Sequence, residues 1–166
     1  MNNRNKIYNT ALGALTAALY VILTYLSAAF GLASGVVQVR LSEALCVLPI
    51  FTPAAVPGLF VGCLLSNILT GCALWDIIFG SLATLAGALG TYFIGKKTRK
   101  IIPAMLAPIA ANTLTVPLVL AFVYSSEGTL PLFFISVFAG EVISCGMLGT
   151  LLGRALKKSV FITQKN

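Results

Sequence analysis

The chain has 166 residues, of which 58% are hydrophobic and only 9% charged, with a mean hydropathy of +0.99. A soluble domain of this length needs far more charge to cover its surface, so the composition specifies an all-α integral membrane protein. The formal charge of +7 does not point to nucleic acid: the cations sit in short clusters flanking apolar runs, with no aromatic residues interleaved to stack on bases.

Ile7 to about Gly31 reads as the first span. It follows Arg4 and Lys6 and is about twice the length of a signal-peptide apolar region, so it is expected to be retained. Small residues recur at helical spacing, Gly13 with Ala17 and Ala14 with Ala18. This pattern allows close approach of another helix, from the same chain or from a partner. The second apolar run, about 39–51, is too short to cross a hydrocarbon core of ~30 Å as an α-helix. It ends in Pro49 and Thr52-Pro53. Pro57-Gly58 opens a third span to about Thr70, because proline in a first turn loses no intrahelical hydrogen bond. A fourth span covers 76–95 and precedes Lys96-Lys97-Thr98-Arg99-Lys100. The fifth covers 101–124, with Pro103, Pro108 and Pro117 inside it. The sixth covers 131–153 and is followed by Arg154, Lys157, Lys158 and Lys165. Six spans in one membrane domain place both termini on one side. With that side cytoplasmic, every cationic cluster is inside and only Arg40 is outside.

This topology assigns depth to the polar residues. Gln38, Arg40 and Glu43 fall at the outer mouth, Asp76 at the outer start of the fourth span, and Glu127 in an outer loop. Asn67 and Asn112 lie within spans three and five. Glu141 is about 15 Å into span six, near the midplane. An ionised group at mid-helix costs about 2.5–3.5 kcal/mol on insertion scales, so Glu141 marks either a ligand cavity or an inter-helix hydrogen bond. Arg40 and Glu43, three residues apart, share a helix face and either neutralise each other or shape a gate. Asp76 is an N-cap or a ligand group. Asn67 and Asn112 are helix–helix contacts or ligand contacts, and Trp75 is an interfacial anchor or a stacking surface. Polar groups thus gather in the outer half, above an almost purely apolar inner half. Such a pocket suits a small, flat, nitrogen-rich solute, since carboxylates accept from N–H pairs and aromatic faces attract heterocycles or cations.

Cys46, Cys63, Cys72 and Cys145 show no Cys-x-x-Cys spacing and the chain has no histidine. They read as packing thiols, with no metal or cofactor expected. The missing histidine and nucleophile–base pair argue against a membrane enzyme, and the apolar inner half argues against a channel.

Val39-Arg-Leu-Ser-Glu-Ala-Leu-Cys-Val-Leu-Pro49, Thr52-Pro-Ala-Ala-Val-Pro-Gly-Leu-Phe-Val-Gly62, Asn67 and Leu74-Trp-Asp-Ile-Ile-Phe-Gly-Ser-Leu-Ala-Thr84 together resemble the QueT family over essentially the whole chain. Those proteins are queuosine-precursor transporters, substrate-binding S-components of energy-coupling-factor importers in the bacterial cell membrane. The resemblance implies a six-helix S-component that binds a 7-deazaguanine from outside, either queuine or its aminomethyl precursor. It implies a membrane coupling subunit and two cytoplasmic ATPases as partners, since no Gly-x-x-x-x-Gly-Lys-Ser/Thr stretch occurs here. Ala14 and Ala18 resemble the face with which S-components dock the coupling subunit. An S-component for another vitamin-like solute would share the same cage. Within the implied site, Glu141 or Asp76 would take the guanidine-like edge, and Asn67 and Asn112 would meet the carbonyl. Trp75 would stack, and Arg40 with Glu43 would shape the outer gate, beside Gln38.

Overall fold

The computed structural model describes residues 3–32, 39–123 and 130–163, and no strand occurs among them. Gln38, Tyr124 and Glu127 lie outside the described residues. The elements are α1 (Asn3–Ala29), a 3-10 helix (Leu41–Ile50), α2 (Ala55–Leu69), α3 (Leu74–Thr98), α4 (Ile101–Val123), α5 (Leu130–Glu141), a π-helical segment (Val142–Gly149) and α6 (Thr150–Thr163). The last three form one continuous rod. By length and apolarity four helices can cross a membrane: Asn3–Ala29, Leu74–Thr98, Ile101–Phe122 and Leu130–Lys158. Leu41–Ile50 and Ala55–Leu69 are shorter.

The second apolar run eases its shortness by changing helix type without reaching the full ~30 Å. Ten residues rise about 20 Å as a 3-10 helix, against about 15 Å as an α-helix. Side chains three apart then eclipse, so Glu43, Cys46 and Pro49 stack in one buried row. Ser42 and Leu45 form a second buried row. The segment touches α1, α2, α3, α4, α6 and the π-segment and is the axis of the bundle. Pro57 falls in the first turn of α2, where its missing N–H has no helical acceptor. At the end of α3, Arg99 adopts φ 54 and donates its backbone N–H back to the Gly95 carbonyl at 2.8 Å, which stops the helix.

Close backbone approach fixes how the helices pack. A Cβ on Gly58 would lie 2.5 Å from the Gly13 carbonyl oxygen, and one on Gly62 would lie 2.7 Å from Tyr20 Cβ. Gly13 and Ala17 therefore face Gly58 and Gly62 within the chain, and α1 and α2 run parallel. On α3, Gly87 and Gly90 receive Pro108 and Ala107 of α4 in the same manner.

Val47, Ala104 and Met105 form a buried apolar cluster with Ile50, Ile94, Ile101 and Leu152. It lies at the end of the bundle that carries Lys96, Lys97, Arg99 and Lys100, with Gly95 against Ile50 and Gly153 against Val47 and Ile101. The described start of α1 and the end of α6 lie at this same basic end, because Gly13 packs at the level of Ala54.

Candidate functional site

Toward the opposite end, the axial 3-10 helix turns a carboxylate into the centre of the bundle. Glu43 is 1% exposed. One of its oxygens accepts a short hydrogen bond from the Tyr20 hydroxyl of α1. The other accepts from Asn112 Nδ2 at 3.2 Å and from Cys46 Sγ at 3.1 Å. Glu141, 7% exposed, ends α5 directly before the π-segment. Its Oε1 accepts from Asn112 Nδ2 at 3.0 Å, and its Oε2 lies 3.3 Å from the Cys145 thiol. The two protons of the Asn112 amide nitrogen are thus divided between two carboxylates from different helices. An amide has two N–H donors and this one uses both. Cys145 Sγ also lies 3.2 Å from the Glu43 carbonyl oxygen. Its single proton can serve only one of these acceptors at a time.

Arg40, Glu43, Asn112 and Glu141 line one cavity, together with Gly80 and Thr84 of α3. Val116 of α4 and Val137 of α5 complete its wall. Its volume is about 10 Å³, room for one water-sized sphere.

A second polar layer adjoins it between α2 and α3. Asp76 is 5% exposed and sits in the first turn of α3; the N-cap position is held by Ala73. Asn67 Nδ2 donates to the Asp76 backbone carbonyl at 3.4 Å and approaches Cys63 Sγ at 3.7 Å. Thr84 Oγ1 lies 3.3 Å from the same sulfur. A Cβ on Gly80 would be 3.3 Å from both Asn67 Nδ2 and Asp76 Oδ1, so the glycine keeps these groups close to the cavity.

Arg40, Glu43, Asn112 and Glu141 therefore converge, and Asn67 and Asp76 stand beside them. Trp75 does not join them. It is 53% exposed and stacks on Phe79 with ring centroids 5.8 Å apart. Both rings line an apolar groove of about 620 Å³ with Leu114, Leu118 and Phe122 on the outside of α3 and α4. Ala14 and Ala18 are exposed on α1. Ala14 borders an outer groove of about 420 Å³ with Gly13, Ala17 and Pro57.

Tyr20 is the functional-site residue that sequence reasoning missed. Its signal was present: Thr16, Tyr20, Thr24 and Ser27 form a polar stripe at helical spacing along α1. Thr16, Tyr20 and Ser27 are buried. Thr24 Oγ1 lies 3.0 Å from Ser42 Oγ, and Ser27 Oγ accepts from the Leu41 backbone N–H at 2.8 Å. The stripe therefore clasps the first turns of the 3-10 helix. The sealed basic end differs in kind; there, the buried Thr91 hydroxyl is satisfied by the Ala104 carbonyl at 3.2 Å.

This arrangement offers hydrogen-bond acceptors: two carboxylates and an amide oxygen, with a guanidinium beside them. The family profile described as QueT transporter matches residues 10–158. The Queuosine precursor transporter QueT of Lactococcus lactis subsp. cremoris (strain MG1363) is 36% identical over 83 residues. That alignment covers 49% of this chain and 48% of the relative, so it spans about half the length of each. No solved structure matches the chain. With the profile running from the first helix into the last, this chain belongs to the QueT transporter family.

Proposed function

We propose that this protein is the substrate-binding S-component of an energy-coupling-factor importer in the bacterial cell membrane. It captures a queuosine precursor, a 7-deazaguanine such as queuine or its aminomethyl form, from outside the cell. The basic end faces the cytoplasm, in keeping with the bias of lysine and arginine toward cytoplasmic ends. A membrane coupling subunit and two ATPases supply the energy, and the exposed Ala14 and Ala18 face of α1 meets the coupling subunit.

The observation that carries this reading is the pair of buried carboxylates, Glu43 and Glu141, joined by one amide nitrogen. A guanine-type edge presents an N1–H beside an exocyclic amine, two donors in the role that the Asn112 amide fills between these acids. An aminomethyl cation adds a charge-assisted bond to either carboxylate. Arg40 and Asp76 flank the entrance, and the apolar cluster around Met105 blocks passage toward the basic end. Trp75 serves as an outer-surface anchor. A cavity of about 10 Å³ lies far below the ~300–1,000 Å³ of ligand pockets, so capture includes separation of the helices that carry Glu43 and Glu141.

Purification from cells grown with the deazaguanine tests the reading. A deazaguanine should be identified by mass spectrometry in stoichiometric amount, and the coupling subunit and ATPases should co-purify from gentle detergent. Purification with a different vitamin-like solute and no deazaguanine would move the assignment to another substrate.

A further inference from the structure

We propose that the thiols beneath this cavity form, with Glu43, a binding site for a thiophilic divalent cation of the zinc and cadmium type. One oxygen of Glu43 and the sulfurs of Cys46 and Cys145 all lie within 4.8 Å of one another, and all three residues are buried. The backbone builds this convergence twice over. The 3-10 helix eclipses Glu43 and Cys46 three residues apart. In an α-helix, at about 100° per residue, two side chains three apart would stand about 60° out of line. The π-segment carries Cys145 across to the same place, 3.2 Å from the Glu43 carbonyl and 3.3 Å from Glu141 Oε2.

The donor set fits the ion. Tetrahedral zinc takes thiolate sulfur at about 2.3 Å and carboxylate oxygen at about 2.0–2.2 Å, which puts ligand atoms roughly 3.4–3.8 Å apart. The present spread closes to that with movements of about an ångström. Glu141 supplies the fourth ligand from the side of Cys145. Soft thiolates select zinc-like ions over magnesium or calcium. On coordination each thiol loses its proton to solvent and the sulfur binds the metal as thiolate. The carboxylates of Glu43 and Glu141 and the guanidinium of Arg40 line the adjoining cavity. Cys63 and Cys72 lie outside the cluster. Cys63 is held by Thr84 and Asn67, and Cys72 sits beside Thr70.

The test is a titration of the purified full chain in detergent with cadmium chloride, in a thiol-free reductant. The sulfur-to-cadmium charge-transfer absorption should saturate at one ion per chain. Cys46→Ser and Cys145→Ser should each weaken binding at least tenfold, while Cys72→Ser leaves it unchanged. In the unmodified chain, cadmium should raise the thermal unfolding midpoint as its concentration rises, and magnesium should not. That readout stands even where a variant fails to fold. Absence of the band at tenfold excess of cadmium would overturn the proposal. So would a band that survives in both variants, or a thermal midpoint that cadmium leaves unmoved.

Discussion

Replacing Asn112 by leucine removes the one group that bonds both carboxylates while keeping the side-chain volume similar. Two hydrogen bonds are lost, at 3.2 Å to Glu43 and 3.0 Å to Glu141. Bonds to charged acceptors contribute about 1.5–3 kcal/mol each in soluble proteins. In membranes the unfolded reference state keeps some partners, and interhelical bonds average about 0.6 kcal/mol with a maximum near 1.7. Here both acceptors are buried and share one donor, so their losses are coupled. The expected destabilisation is about 2–4 kcal/mol, or roughly 4–16 °C in thermal midpoint for a chain of this length. The assay is thermal unfolding in detergent, run as a double-mutant cycle with Glu141→Gln. A neutral amide in place of Glu141 should recover about 1 kcal/mol or more of the Asn112→Leu loss. A midpoint shift under 2 °C with no coupling would refute the reasoning that Asn112 binds the two acids into one unit.

Three further outcomes follow from the packing. Gly62→Val should destabilise the α1–α2 pair by about 1–3 kcal/mol in a thermal melt, because even its Cβ would lie 2.7 Å from Tyr20 Cβ and 3.0 Å from the Ala17 backbone. Tyr20→Phe should lower deazaguanine affinity about three- to tenfold in calorimetry, since Glu43 loses the donor that orients it. Ala14→Trp with Ala18→Trp should leave that affinity within twofold and abolish co-purification of the coupling subunit, because both positions are exposed on the outside of α1 and neither lines the cavity.

The helical architecture was legible because apolar runs, prolines and cationic clusters are local properties. The last rod extends past the end of its expected span at the basic end. There the helix runs to Thr163 although charge begins at Arg154, because a helix continues into the interface when its cations can reach water. The character of the second segment was only half legible. Its shortness was plain from Pro49 and Pro53, but the 3-10 winding follows from neighbours on all sides rather than from local preference.

Depth singles out Asn112 and Glu141, since an acid or amide deep in a span needs a partner, and Arg40, three residues before it, singles out Glu43. Sequence leaves Trp75 open between interfacial anchor and stacking surface, because it carries no rotation angle. An almost wholly apolar helix gives no sequence mark of which face turns inward, and on α3 Asp76 faces in while Trp75 faces out. Tyr20 was overlooked because a tyrosine in a span reads as apolar until its threonine neighbours are counted. Cys46 and Cys145 read as unrelated packing thiols, because spacing rules for metal sites describe local motifs. These two meet across 3-10 and π backbone that no spacing rule encodes.

The most direct test of the central claim is calorimetric titration of a 7-deazaguanine against the unmodified chain, Glu43→Gln and Glu141→Gln, each shown monodisperse. Loss of a charge-assisted bond is worth about 1.5–3 kcal/mol, so each variant should bind about ten- to a hundredfold more weakly. Unchanged affinity in both would contradict capture between these two carboxylates.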